Sequence, residues 1–310
     1  MSAISEVAPG IYMMDDGLYA MPGFGSVYLL NEAKKALVES GPAVSAGAVL
    51  AGIREIGLRP DEIDYIIVTH VHLDHAGGAG TLAREMPRAT VVAHHRGAKH
   101  LIDPSRLVNS STETRGKESV AHYGEVLPIA ADRVHGVHDG ERLRLGDGQE
   151  LEFIDAPGHA FHELCIHESR NGGIFTGDAA GIYLVDGAVL LPTHPPPSFN
   201  LEAAVSTLER LIARQPSRIY FSHFGMGEPG EAVLQRAKSQ LLAWAGVAAE
   251  AIKADSIEAA VASMVDRLRP ELAPIRDKTL LYRYMSGQSL PLTARGLLKY
   301  YQEKRAADKS

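Results

Sequence analysis

The segment Ile66-Ile67-Val68-Thr69-His70-Val71-His72-Leu73-Asp74-His75-Ala76-Gly77-Gly78 constrains this chain more than any other. An apolar β-type run there empties directly into four side chains that can ligate a metal, packed within six residues. Residues two apart in extended backbone point the same way, so His70 and His72 can grip one ion together. If the chain then turns into a helix near Asp74, the side chains of Asp74 and His75 are redirected towards a second point a few ångströms away. One short loop can thus serve two cations, provided that other parts of the chain deliver the remaining ligands.

Three further candidates stand where a β-type run ends close to a glycine. They are His159 in Ala156-Pro157-Gly158-His159, Asp178 in Phe175-Thr176-Gly177-Asp178, and His223 in Phe221-Ser222-His223-Phe224-Gly225. Strand ends are rigid platforms, and glycine lets the backbone turn sharply beside a crowded site. Imidazoles and carboxylates without thiolates suit zinc, iron or manganese. A lone His or Asp is usually an ordinary surface or core residue, but seven ligand types in this order and context call for a joint explanation. Packing Asp74 and Asp178 among histidines without a cation would also carry a heavy desolvation cost, which bound metal removes.

At 310 residues, with 45% apolar and 22% charged residues, the chain has the composition of an ordinary folded protein and exceeds the usual size of one compact domain. β-type segments recur at 26–30, 36–39, 65–69, 90–93, 151–154, 163–167 and 219–222, and helical periodicity marks 44–56, 79–85 and 201–213. Early hairpin-like strands followed by strand–helix alternation predict an α/β protein whose mixed sheets form a layered sandwich. From Gly230 good helix formers dominate, over 231–252, 256–268 and 293–304. We therefore expect a catalytic domain over 1–229 and a helical C-terminal module over 230–310. The apolar stripes of that module need a partner, either one wall of the pocket or a second subunit in a homodimer. The polar, weakly periodic stretch 103–123 fits a lid, a pair of short helices or a loop.

The formal net charge of −7 offers no general attraction for nucleic acid. The start MSAISEVAPG has neither the basic residues nor the apolar run of an export signal, and no apolar stretch is long enough to span a bilayer. A cytoplasmic protein without membrane attachment is the expectation. The single cysteine, Cys165, excludes an intrachain disulfide and a Cys-based zinc site, and is read as core filler.

Taken in order, these elements resemble the metallo-β-lactamase superfamily, and most closely its glyoxalase II-like dinuclear members, over residues 8–228. The resemblance implies a four-layer αββα sandwich carrying two divalent metal ions, zinc first and iron or manganese as alternatives. His70, His72 and His159 would hold one ion, Asp74, His75 and His223 the other, and Asp178 would bridge them. One position departs from the pattern: the family commonly has Asp before a Thr-Gly or Ser-Gly pair, and this chain reads Glu39-Ser40-Gly41. The implied chemistry is attack by a metal-bridging hydroxide, oriented by Asp74, on a small-molecule ester, thioester or lactone.

His162, three residues after His159, is expected either to support the ligands or to pack, and Tyr183 is a candidate donor to a substrate oxygen. His94, His95, His122 and His194 stand in polar or turn-like contexts and read as exposed imidazoles. The same ligands leave other readings open. An iron oxygenase resembling persulfide dioxygenases would use His70, His159 and Asp178 as a facial triad. A phosphodiesterase or nuclease is disfavoured by the acidic charge, and a metal-stabilised binding protein would show no turnover. A true β-lactamase is disfavoured by the missing export signal. Flavodiiron proteins typically carry Glu where this chain has His72.

Overall fold

A computed structural model describes residues 4–184, 188–254, 256–285 and 290–307. The first half of the chain forms a seven-stranded sheet in sequence order: β1 (Ile4–Ala8), β2 (Ile11–Asp15), β3 (Ser26–Leu30), β4 (Lys35–Val38), β5 (Ile63–Ile67), β6 (Thr90–His94) and β7 (Val134–Val137). The strands from β1 to β4 pair antiparallel, and those from β4 to β7 run parallel. The parallel part needs crossovers, supplied by helices α1 (Ala46–Glu55), α2 (Leu73–Ala76) and α3 (Ala79–Glu85), then by α4 (Lys99–Ile102), α5 (Ser105–Arg115) and α6 (Lys117–Ala121).

The remaining strands are β8 (Arg142–Gly146), β9 (Gln149–Asp155), β10 (Leu164–Glu168), β11 (Gly173–Phe175), the hairpin β12 (Ile182–Leu184) and β13 (Val189–Leu191), β14 (Arg218–Tyr220) and β15 (Met226–Gly227). Six of them form a second sheet in the order β15-β14-β11-β10-β9-β8, antiparallel except for the β11–β14 pair. Helix α7 (Leu201–Ile212) precedes β14, and α8 (Gly230–Ala251), α9 (Ile257–Leu268), α10 (Lys278–Met285) and α11 (Leu290–Ala307) follow the last strand.

The side-chain alternation of single strands sets the layering. In β3, Val27 and Leu29 face outward onto Val49, Ile53 and Leu82 of the first helical layer. Tyr28 and Leu30 face the second sheet and meet Phe153, Ile166, Phe175 and Tyr220. On that second sheet, Ile154, Cys165, Ile174 and Ile219 turn the other way and pack with Leu208, Trp244, Met264 and Leu297 of α7, α8, α9 and α11. Three apolar layers therefore separate helix, sheet, sheet and helix, which is the expected αββα sandwich, and Cys165 is indeed a buried core residue.

Two local features shape the ground above the strand ends. The stretch 103–123 is a pair of short helices, α5 and α6, broken at Gly116, whose φ of 84° takes the chain out of helical geometry. Helix α11 seats directly on the proline-rich connector: a Cβ built at Gly296 would lie 1.7 Å from the carbonyl oxygen of His194. This close approach brings Leu292 and Thr293 to the wall of a small cavity that Asp178 and His223 also line. Replacing Gly296 with Ala should destabilise the protein by about 1–3 kcal/mol through overpacking. Urea denaturation checks this, and an unchanged midpoint would show that α11 is not held by this contact.

Candidate metal centre

The expected ligands leave the ends of four different strands. Thr69 to His75 follow β5, His159 follows β9, Asp178 follows β11 and His223 follows β14. The fold brings all seven together in three overlapping groups, His70–His72–His159, His70–His75–Asp178 and Asp74–His75–His223, and within each group the donor atoms lie within 4.8 Å of one another. Five of the seven are buried, with His72 and Asp74 half-buried at the mouth.

The hydrogen bonds on the far side of each ring set which nitrogen faces inward. His159 Nδ1 donates to the Thr193 carbonyl at 2.7 Å, and His223 Nδ1 to the Phe24 carbonyl at 3.2 Å. His75 Nδ1 donates to Glu39 Oε1 at 3.0 Å. The Thr69 hydroxyl donates to Glu39 at 2.6 Å and so accepts from His70 Nδ1 at 3.0 Å. With Nδ1 protonated in all four, each Nε2 presents a lone pair. His70 Nε2 and His159 Nε2 then lie 3.0 and 2.9 Å from His72 Nδ1, an approach of nitrogen atoms that at most one shared proton could relieve.

Asp178 stands between the groups. Its Oδ2 lies 3.3 Å from His159 Nε2, while its Oδ1 lies 3.4 Å from His75 Nε2 and 3.5 Å from His223 Nε2. Both Asp178 Oδ1 and His75 Nε2 are buried without a hydrogen-bond partner. Orphaned lone pairs converging from several elements fit a cation, and the donors match those that zinc, iron or manganese accept.

The electrostatics point the same way. Burial, followed by the neighbouring imidazoles, pushes His70 and His72 well below the ordinary histidine range. Burial likewise lowers His159. Burial also opposes charge on His75, yet the Asp178 and Glu39 carboxylates outweigh it and raise its pKa to about 10. For Asp74, burial favours the neutral acid, but His75 and Arg115 hold the carboxyl below its ordinary range. In the metal-free protein a proton on His75 thus supplies positive charge that a metal ion would replace.

Glu39, where the sequence departs from the family pattern, is the hub of the supporting shell. Buried after β4, its Oε1 accepts from the Thr69 hydroxyl, from Ser222 Oγ at 2.7 Å and from His75 Nδ1. Its own N–H reaches the Ile67 carbonyl at 2.7 Å, so the hub is tied to the strand that delivers the ligands. Glu163 plays a parallel part: its Oε1 accepts from the Asp178 N–H at 2.8 Å, and burial pushes its carboxyl well above the usual range. Gly177 has a φ of 53°, and a Cβ there would lie 2.7 Å from Thr69 Oγ1, so the turn before Asp178 requires glycine. Nothing in the local sequence flags Glu163, whose role exists only once β10 is beside β11.

The other candidates divide. His162 is buried, with its ring 6.0 Å from that of His72 and 6.4 Å from that of His70, but it belongs to none of the three donor groups. It lines an outer cavity of about 320 Å³ that adjoins the site through Asp74. Tyr183 lines neither this cavity nor the inner one of about 30 Å³; its ring stacks on Phe221 at 5.1 Å. His122 is exposed as expected, but His94 and His194 are buried, His194 stacking on Phe199 at 4.2 Å. The turn-like sequence around His194 conceals that α11 later covers it.

Residues 20–223, more than half of the chain, match the metallo-beta-lactamase superfamily. The chain belongs to that superfamily. Among its relatives, a metallo-beta-lactamase fold-containing protein of Sulfurisphaera tokodaii is 28% identical over 224 residues, covering 71% of this chain and 80% of that protein. The human acyl-coenzyme A thioesterase of the same likeness is 31% identical over 156 residues, covering 47% of this chain and 49% of the enzyme. A metallo-beta-lactamase family protein from Thermus thermophilus shares the fold at 21% identity with a TM-score of 0.69, over 97% of this chain and 96% of that one. That alignment includes the C-terminal helical region.

Two measurements probe the centre. Replacing Glu39 with Gln removes the carboxylate that orients His75 and, through Thr69, His70, and metal affinity should fall by about 10–100-fold; competition with a chelator reads this, and unchanged affinity would remove Glu39 from the supporting role. The second concerns pH. A folded pKa of about 10 for His75, above the unfolded value near 6.5, stabilises the metal-free protein fully below pH 6.5. That stability disappears as pH rises towards 10, by up to about 1.4 kcal/mol per pH unit. Urea titrations of metal-free wild type and His75→Gln should differ by this slope, and parallel curves would refute it.

Proposed function

We propose that this superfamily member is a metal-dependent hydrolase that cleaves an ester, thioester or lactone bond of a small molecule. In this reading His70, His72 and His159 hold one ion, Asp74, His75 and His223 hold a second, and Asp178 is shared. The observation that carries the reading is the division of Asp178, whose Oδ2 faces His159 while its Oδ1 faces His75 and His223. One carboxylate turned towards two donor groups suits a pair of cations better than one.

Two divalent ions bound there would bring the ionisation of a shared water near neutral pH and polarise a carbonyl. The chain's own residues account for the rest. Asp74 lines both the inner and the outer cavity and is held ionised, so it is placed to orient the attacking water by accepting a hydrogen bond from it. Burial keeps His162 neutral, with a pKa lowered to about 4, so it serves as an uncharged wall of the substrate cavity rather than as a proton donor. Residues 1–229 form the catalytic domain in this reading, and the helical module over 230–310 closes one side of the pocket through Leu292 and Thr293. Similarity to the human acyl-coenzyme A thioesterase supports a thioester among the candidate substrates.

Protein loaded with zinc, manganese or iron, tested on acetyl thioesters, esters and lactones, should show turnover that a chelator abolishes and metal restores. Asp74→Asn should lower kcat by about 100-fold or more. Turnover that survives chelation refutes the reading. A single bound iron with oxygen uptake on a persulfide would instead establish the oxygenase built on His70, His159 and Asp178.

A further inference from the structure

The outer cavity is unlike the rest of this acidic chain. Three cationic side chains, Lys99, Arg106 and Arg115, line it, and its one carboxylate is Asp74, which the metal centre claims. Among the described residues none of the three cations lies within ion-pair distance of a carboxylate: the ion pairs of the molecule are elsewhere. Hydroxyls of Ser110, Ser111 and Thr114 surround them, on the same face of α5.

Arg115 occupies the decisive position. It is the last residue of α5 and lines the inner cavity together with Asp74, Asp178 and His223, as well as the outer one. Its Nη1 donates to the Tyr123 hydroxyl at 3.2 Å, and that hydroxyl pairs with Tyr19 at 2.5 Å. One phenol, itself braced by a second, therefore holds one edge of the guanidinium, and the other donors remain for a ligand. A planar fork of N–H donors held in place with no carboxylate in direct contact, its nearest acids Asp74 and Asp178 acting only at longer range, matches the geometry of a carboxylate or phosphate. An uncharged substrate would leave this half-buried guanidinium without a direct hydrogen-bonded anion.

Resting on the hydrolase reading above, we propose that the substrate carries an anionic oxygen group, a carboxylate or a phosphate, close to the scissile bond. Arg115 binds that group beside the metal centre. Lys99 and Arg106, exposed at the outer rim, draw it in by charge. The inner guanidinium thus selects the substrate, and the α5–α6 segment is a recognition element as well as a cover.

The test uses non-hydrolysable acetonyl thioethers in which a methylene separates carbonyl from sulfur. One is built on mercaptoacetate, one on mercaptoacetamide and one on 2-mercaptoethyl phosphate, and binding to the metal-loaded full chain is measured by calorimetry. Wild type should prefer an anionic analogue over the neutral amide by at least about tenfold, and whichever anion binds more tightly identifies the group. Arg115→Gln should remove that preference, and Arg115→Lys should retain part of it. Lys99→Gln and Arg106→Gln should each weaken it by about two- to threefold, less at high salt. Equal affinity of wild type for acid, phosphate and amide overturns the proposal. So does a uniform loss across all three analogues in Arg115→Gln, which would make Arg115 a structural or general electrostatic residue. The hydrolase reading fails separately, if the anionic analogues bind selectively while the matching acetyl thioesters are never cleaved.

Discussion

Everything at the centre of this protein follows from lone pairs that cannot face one another without a cation between them. His70, His75, His159 and His223 each commit Nδ1 to an acceptor behind the ring, so each Nε2 is turned inward as a base. His72 and the two carboxylates add further donors to the same small volume. In a buried, weakly polarisable pocket such an arrangement is repulsive unless positive charge enters it. The metal-free protein answers with a proton on His75, and a bound metal ion would answer better because it has several coordination directions at once.

The sandwich exists, in functional terms, to hold those rings still. Ligands sit on short loops, but each loop is anchored to a buried strand, and Glu39 ties two of them together by accepting from Thr69 and His75 on one and Ser222 on the other. Glu39 holds this position with a positive φ of 73° and with its N–H paired to the Ile67 carbonyl. The C-terminal helices contribute in a different way. They cover the outer face of the second sheet with Trp244, Met264 and Leu297, and α11 then reaches the mouth of the inner cavity. The walls of the two cavities are thereby assembled from three segments distant in sequence: α5, the proline-rich connector and α11.

Much of this was legible in the residues themselves, for identifiable reasons. The seven strongly apolar β-type runs are all strands, with ends shifted by a residue or two, since buried strands announce themselves by composition. Apart from β2, which lies inside the first sheet, the strands that escaped notice are short or lie at the sheet edge. β11 has three residues beginning with Gly173, β15 has two, and β1 and β8 each bury only one of their five residues. The HxHxDH loop was legible because strand periodicity followed by a helical turn dictates where its side chains go. Tyr183 was misleading, because an amphipathic ring beside Asp178 can point either to the pocket or, as here, onto Phe221.

The chemical character of the centre was therefore determined by the sequence alone: which side chains can bind metal, in what order, and at the ends of which strands. Only the tertiary structure decided their mutual distances, the nitrogen that each ring turns inward, and the partners that enforce the choice. It also decided that Glu39 and Glu163 are structural carboxylates at the site, that His94 and His194 are buried, and that Arg115 reaches the metal pocket from a segment with no motif. The physical reason is one of range. Local pattern governs the direction of a side chain relative to its own backbone, whereas burial, hydrogen-bond partnership and electrostatic environment belong to whatever distant chain is packed against it.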